Sequence, residues 1–154
     1  MNNIQQIPRT GSAEQVEPPV ALTSVSLIIP AYNDEETVGR LIDDGDALLS
    51  QIASDYEIIV VNDGSKDHTL DVIQGRAEVN PHVKVINHPI NKGFGYTIRE
   101  LYLAGTKDFI FSLPGDYQYA PKELVKMAKG LDDYDFVIGL RMHRNDARRG
   151  AFAA

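Results

Sequence analysis

Carboxylates and side-chain amides recur in this sequence just where an apolar run ends. The stretch "FSLPGDYQYAP" sets Asp116 directly after a Pro-Gly pair, with Gln118 close behind. "VVNDGSKDHT" sets Asn62, Asp63, Ser65 and Asp67 behind two valines, and "LIIPAYNDEE" carries Pro30, Ala31, Tyr32, Asn33, Asp34 and Glu35. "NKG" supplies Asn91, Lys92 and Gly93, and "VIGLR" ends on Arg141. Each segment taken singly has a local explanation. "NDGS" makes a turn through Gly64 and an Asx bond, the acids of "YNDEE" suit a positive helix N-terminus, "NKGFG" offers loop glycine, and Asp116 can complete a Pro-Gly turn. Taken together they describe a ligand site, provided the fold brings them to one rim.

The elements between these segments do that. "VSLIIP", "YEIIVV", "VKVIN", "DFIFSL" and "DFVIGL" read as five short, apolar, β-branched strands. Between them, Val38, Leu41, Ile42, Leu48, Leu49 and Ile52 recur at helical spacing, with Asp34, Glu35 and Glu36 expected at that helix's start. Leu70, Val72, Ile73 and Ala77 mark a second helix, with Ser65 or Asp67 as its cap. A third helix is expected from about Phe94 to Ala104, and "APKELVKMAKGL" forms a short fourth with Pro121 in its first turn. Alternating strands and helices predict an α/β, Rossmann-like domain with a mostly parallel central sheet flanked by helices. In such a sheet, ligands bind beyond the carboxyl ends of the strands. The polar segments all follow strands.

Composition narrows the function classes. A chain of 154 residues with 43% hydrophobic and 24% charged residues fits one soluble domain with a real core. The formal charge of −7 argues against a nucleic-acid partner. The absence of cysteine excludes disulfides and thiolate metal sites. No apolar run approaches the roughly 18–20 residues of a membrane span, and the N-terminus lacks the pattern of a secretory signal. Residues 1–23, rich in Pro, Gln, Glu and Ser, read as a flexible tail, residues 24–141 as the folded domain, and residues 142–154 as a truncated or frayed segment. His68, His82, His88 and His143 lack metal-ligand spacing and read as surface or loop residues.

The five polar segments, in order, resemble the nucleotide-sugar half of family 2 glycosyltransferases, with most likeness to the dolichol/polyprenyl-phosphate sugar transferase branch. The likeness runs from about Val25 to Arg141 and implies a GT-A fold. It implies transfer of a sugar from a UDP- or GDP-sugar to an acceptor such as polyprenyl phosphate or a glycan, with inversion, in cell envelope glycan biosynthesis. The expected location is cytoplasmic, with peripheral association at the inner face of the membrane.

The resemblance also assigns roles. Pro30, Ala31, Tyr32 and Glu35 would contact the nucleotide, Asp63 would read the base edge, and Asn91 and Gly93 would let backbone approach ribose and phosphate. Asp116 matches the last acid of a D-x-D motif and, with Gln118, would bind Mg2+ or Mn2+ on the diphosphate. Asp116 and Arg141 would serve catalysis by stabilising charge on the phosphates. One departure stands out: Pro114 replaces the first acid of D-x-D.

Rival functions fare worse. "GFGYTI" has Ile98 where a dinucleotide fingerprint needs its third glycine, and no P-loop occurs. The Gly-rich loop of a sugar nucleotidyltransferase is replaced by "PAYNDEE". The remaining rival is a non-catalytic nucleotide-binding fragment that lacks an acceptor half.

Overall fold

A computed structural model of the chain describes residues 21–131, 135 and 137–139. Eight elements follow one another: β1 (Leu22–Ala31), α1 (Val38–Ile52), β2 (Ala53–Asp63), α2 (Thr69–Val79), β3 (Val83–His88), α3 (Phe94–Ala104), β4 (Phe109–Ser112) and α4 (Glu123–Ala128). The four strands form one parallel sheet in the order β3-β2-β1-β4. The β/α alternation and the helix at Phe94–Ala104 are as the sequence predicts.

β1 and β2 occupy the middle of the sheet because both of their faces are apolar. Val25, Leu27, Ile28 and Ile29 of β1 and Ile58, Ile59, Val60 and Val61 of β2 are buried, the continuous pattern of a strand covered on two sides. Alternation then divides them. Leu27, Ile29, Ile58 and Val60 join Val38, Leu41, Ile42 and Leu49 of α1, Ile73 of α2 and Leu124 of α4 in the larger core. Ile28, Ile59 and Val61 meet Leu101 of α3 on the opposite face.

Two expectations are corrected. Asp34, Glu35 and Glu36 do not occupy the first turn of α1, which holds no acid. The amides of Thr37 and Val38 both donate to the Asp34 carbonyl, so a separate turn precedes the helix. Second, of the expected fifth strand, Asp135–Leu140, the described residues Asp135 and Val137–Gly139 are not in a strand, and Phe136 and Leu140 lie outside the described residues. β1 itself begins at Leu22, slightly earlier than the sequence suggests. Among the described residues no helix is long and apolar enough to cross a membrane.

The strand order positions the site. From β1 the chain moves to β2 and β3 on one side, then returns to place β4 on the other. The carboxyl ends of β1 and β4 therefore flank a topological switch point, where an open parallel sheet leaves a crevice.

Candidate functional site

The loop after β1 and the loop after β2 are hydrogen-bonded to each other. The Asn33 amide donates to Ser65 Oγ (3.0 Å), and the Lys66 amide returns a bond to Asn33 Oδ1 (2.8 Å). The Asp34 amide donates to Thr69 Oγ1, and the His68 amide to Glu35 Oε2 at 2.7 Å. Asp34 thus bonds its own turn, and Glu35 bonds the N-cap amide of α2; neither serves the first turn of α1. Asn33 carries φ 56°, a left-handed conformation that asparagine tolerates better than most residues. For α2, Asp67 Oδ1 accepts from both the amide and the hydroxyl of Thr69, so Asp67 rather than Ser65 satisfies its first turn.

The turn after β4 is fixed against the same loop. The Gly115 amide donates to the Pro30 carbonyl (3.0 Å), and Thr37 Oγ1 donates to the Gly115 carbonyl (2.7 Å). Asp34 Oδ2, which accepts from the Tyr32 amide, stands beside this turn. Burial, together with repulsion from Asp116 and Asp67, raises the Asp34 pKa against the lowering effect of that amide.

Asp63 closes β2 and is buried at 4% exposure. Its Oδ1 accepts from the Lys92 amide (2.8 Å) and from His88 Nδ1 (2.8 Å), and its Oδ2 from the Gly93 amide (2.9 Å). Burial favours the neutral acid, but these bonds outweigh it and hold the carboxyl below the usual aspartate range. Three hydrogen bonds thus end on a group with about four acceptor positions. Thr97 Oγ1 is close enough to help depress the Asp63 pKa, yet finds no partner at hydrogen-bonding geometry.

Two adjoining spaces result. A cleft of about 180 Å³ is lined by Pro30, Ala31, Tyr32, Asp63, Asn91, Phe94, Thr97 and Pro114. Proline and aromatic walls around one carboxylate can take a flat heterocycle and accept from its N–H. Beside it, a more open space of about 290 Å³ is lined by Asn33 to Thr37, Asp67 and Asp116. Asp116 is exposed, and its two oxygens accept from the backbone amide (3.1 Å) and the side-chain amide of Gln118.

The structure therefore brings Pro30, Ala31, Tyr32, Asp63 and Asn91 to one cleft, with Gly93 behind it on Asp63. Glu35 and Asp116 line the acidic space, and Gln118 adjoins Asp116. Arg141 lies outside the described residues. Among the described residues no three His, Asp or Glu side chains form a metal cluster. Asp116 still fits an ion whose other ligands are phosphate oxygens, since Mg2+ commonly uses only one or two carboxylates beside a diphosphate.

Sequence reasoning missed Phe94, Thr97 and above all His88. That ring is 2% exposed, not a surface residue, because β3 pairs with β2 in a register that sets His88 opposite Asp63. His82 is likewise no free loop residue: its ring stacks on Tyr56 at 4.1 Å and bonds the Tyr56 carbonyl. Phe94, an exposed aromatic directly after "NKG", was a signal available in the sequence.

Known proteins resemble this chain in sequence and in fold. Undecaprenyl-phosphate 4-deoxy-4-formamido-L-arabinose transferase of Serratia proteamaculans is 33% identical over 138 residues, covering 86% of this chain and 40% of that protein. A dolichyl-phosphate beta-glucosyltransferase of Trichomonas vaginalis is 31% identical over 137 residues, covering 81% and 42%. The chain thus spans about 40% of the length of these relatives. Among solved structures, a mannosyltransferase of Pyrobaculum calidifontis in complex with GDP-Man and Mn2+ superposes with a TM-score of 0.62 at 20% identity, covering 75% of this chain and 34% of that one. TarS of S. aureus with UDP-GlcNAc gives 0.55 at 21% identity, covering 71% and 31%. These likenesses identify the fold as GT-A. The family model described as "Glycosyl transferase family 2" matches residues 26–153, and the chain belongs to that family.

Proposed function

We propose that this chain forms the donor-binding part of a transferase that moves a sugar from a UDP- or GDP-sugar to a lipid phosphate such as polyprenyl phosphate, with inversion at the anomeric carbon. The observation that carries this reading is the cleft at the switch point, where Tyr32, Phe94, Pro30 and Pro114 surround the Asp63 carboxylate next to the Asp116 turn. The base would lie between the aromatic and proline walls, its ring N–H directed at Asp63. Asn91 and Gly93 would leave the backbone open to ribose and phosphate. Glu35, which lines the acidic space and holds the His68 amide, would shape the nucleotide loop rather than face the base.

Asp116 and Gln118 would hold a divalent cation, Mg2+ or Mn2+, which supplies charge neutralisation for the departing nucleoside diphosphate. Pro114 contributes no side-chain oxygen there, so the side chains of that site are one carboxylate and one amide. Arg141 would add positive charge near the phosphates. The relatives named for undecaprenyl and dolichyl phosphate support a lipid-phosphate acceptor, whose phosphate oxygen is already anionic and needs no strong base. Peripheral attachment at the inner membrane face, in cell envelope glycan assembly, belongs to the same reading.

Calorimetric titration with UDP and with GDP, each with and without Mn2+ or Mg2+, tests it. Cation-dependent binding of one nucleotide is expected and names the donor base. No binding of either under any condition overturns the reading. Sugar transfer to a short polyprenyl phosphate then separates an enzyme from a binding fragment.

A further inference from the structure

The buried ring of His88 meets a carboxylate at each nitrogen. Nδ1 lies 2.8 Å from Asp63 Oδ1 and Nε2 lies 2.5 Å from Glu100 Oε2. These partners stand on different elements: Asp63 at the end of β2 and Glu100 on α3. Tyr96, also on α3, packs edge-on against the ring at 5.7 Å, and the Lys92 ammonium lies over the Tyr96 ring at 4.5 Å. A neutral imidazole donates from one nitrogen only, so hydrogen bonds to both carboxylates require the doubly protonated ring. The same Asp63 carboxylate accepts the amides of Lys92 and Gly93. One imidazole ring thus ties together β2, α3 and the loop that edges the cleft.

We infer that His88 is a positioning residue for the nucleotide cleft: through its contacts to Asp63 and Glu100 it aims the Asp63 carboxylate and holds the Asn91–Gly93 loop closed on it, and it does so fully only while both ring nitrogens carry protons. Loss of one proton sets a lone pair against a carboxylate and breaks one of the two contacts. The remaining charges around the ring are Asp63, Glu100 and, beyond Tyr96, Lys92; none replaces the lost donor. The consequence for ligand binding rests on the donor-site reading above, whereas the clasp itself does not.

The experiment follows the ring nitrogens of His88 by 15N NMR across pH while UDP and GDP affinity is measured on the same samples. Affinity is expected to fall about tenfold over the interval in which the ring loses its second proton, the scale of one charge-assisted hydrogen bond. In Glu100→Gln the fall disappears, because the amide can donate to a neutral Nε2. Affinity that stays level while the ring titrates overturns the inference and leaves the donor site intact. If neither nucleotide binds at any pH, the donor reading fails and amide exchange at Lys92 and Gly93 decides. Lower protection, taken relative to the intrinsic exchange rate at each pH, on ring deprotonation and in His88→Gln supports the clasp; unchanged protection overturns it.

Discussion

Gly115 has no room for a side chain beside Asp34. A Cβ on the glycine would stand 2.6 Å from Asp34 Oδ2 and 3.1 Å from the Pro30 carbonyl oxygen. The middle residue of the Pro-Gly-Asp turn is therefore in contact with the loop that follows β1, and the Thr37 hydroxyl fastens the two from the other side. Gly115→Ala must push Asp34 off the Tyr32 amide or move the β4 turn outward. Overpacking of this kind costs about 1–3 kcal/mol, and both displacements distort the wall of the cleft. The expected result is a lower Tm together with weaker nucleotide binding in calorimetry. A variant that melts normally and binds normally would show that the two loops do not depend on this contact.

Asp116 presents the opposite case. It is exposed, and both of its carboxylate oxygens accept from Gln118, two residues away. Asp116→Ala should therefore alter stability by only about 1 kcal/mol, the loss of two solvent-exposed bonds within one turn. The gain in UDP or GDP affinity on adding Mn2+ should fall about tenfold or more if its carboxylate holds the cation on the diphosphate. Titrations with and without Mn2+, beside thermal melts, separate the two effects. A stability loss with an undiminished Mn2+ response would assign Asp116 to the turn alone.

These contrasts show which parts of the molecule were legible in sequence. The central strands were, because "SLII" and "IIVV" are apolar on both faces and only a doubly covered strand satisfies that pattern. α3 was legible as a helix from about Phe94 to Ala104, which Gly93 and Gly105 flank in the structure. The bonds that shape the site were not, because they join residues far apart in sequence. Glu35 looked like a helix-start acid, and nothing local announces that the His68 amide will claim it. His88 looked like a loop residue because its burial depends on the register between β2 and β3, which no single segment encodes. Asp63 was found from its position after β2, but not its three internal partners, which come from His88, Lys92 and Gly93.

Gly64 carries both of the reasons a chain has for using glycine. Its φ is +67°, and a Cβ there would stand 2.4 Å from both the Asn91 nitrogen and the Ile90 carbonyl carbon. The turn after β2 is thus pressed against the backbone of the loop that supplies Lys92 and Gly93 to Asp63. Left-handed conformation alone costs a substituted residue about 1–2 kcal/mol, and the clash is with backbone, which cannot rotate away. Gly64→Ala should lose more than about 2 kcal/mol in urea unfolding and accelerate amide exchange at Lys92 and Gly93. A loss confined to about 1 kcal/mol, with exchange unchanged, would mean that the loop yields without releasing Asp63.

At the far end of the sheet, Glu57 supports stability without touching the cleft. Its side chain is buried and accepts from Ser26 Oγ (2.7 Å), Lys84 Nζ (2.6 Å), and the amide and hydroxyl of Thr106 (2.8 and 2.9 Å). It links β1, β2, β3 and the approach to β4. Burial raises the pKa of this carboxyl, but the four donors prevail and bring it down from 4.5 to about 2. A folded-state pKa below the unfolded one gives stability that is full above about 4.5 and lost as pH falls toward 2. Lys84 is half exposed, so its share is weakened by solvent, and roughly 2 kcal/mol at neutral pH is the expected scale. Urea unfolding of the wild type and of Glu57→Gln between pH 7 and 2 measures it. The wild type should be the more stable at pH 7, and the difference should shrink steadily below pH 4.5. A gap that stays constant to the lowest pH would mean that Glu57 acts through packing and hydrogen-bond geometry, with its charge contributing nothing.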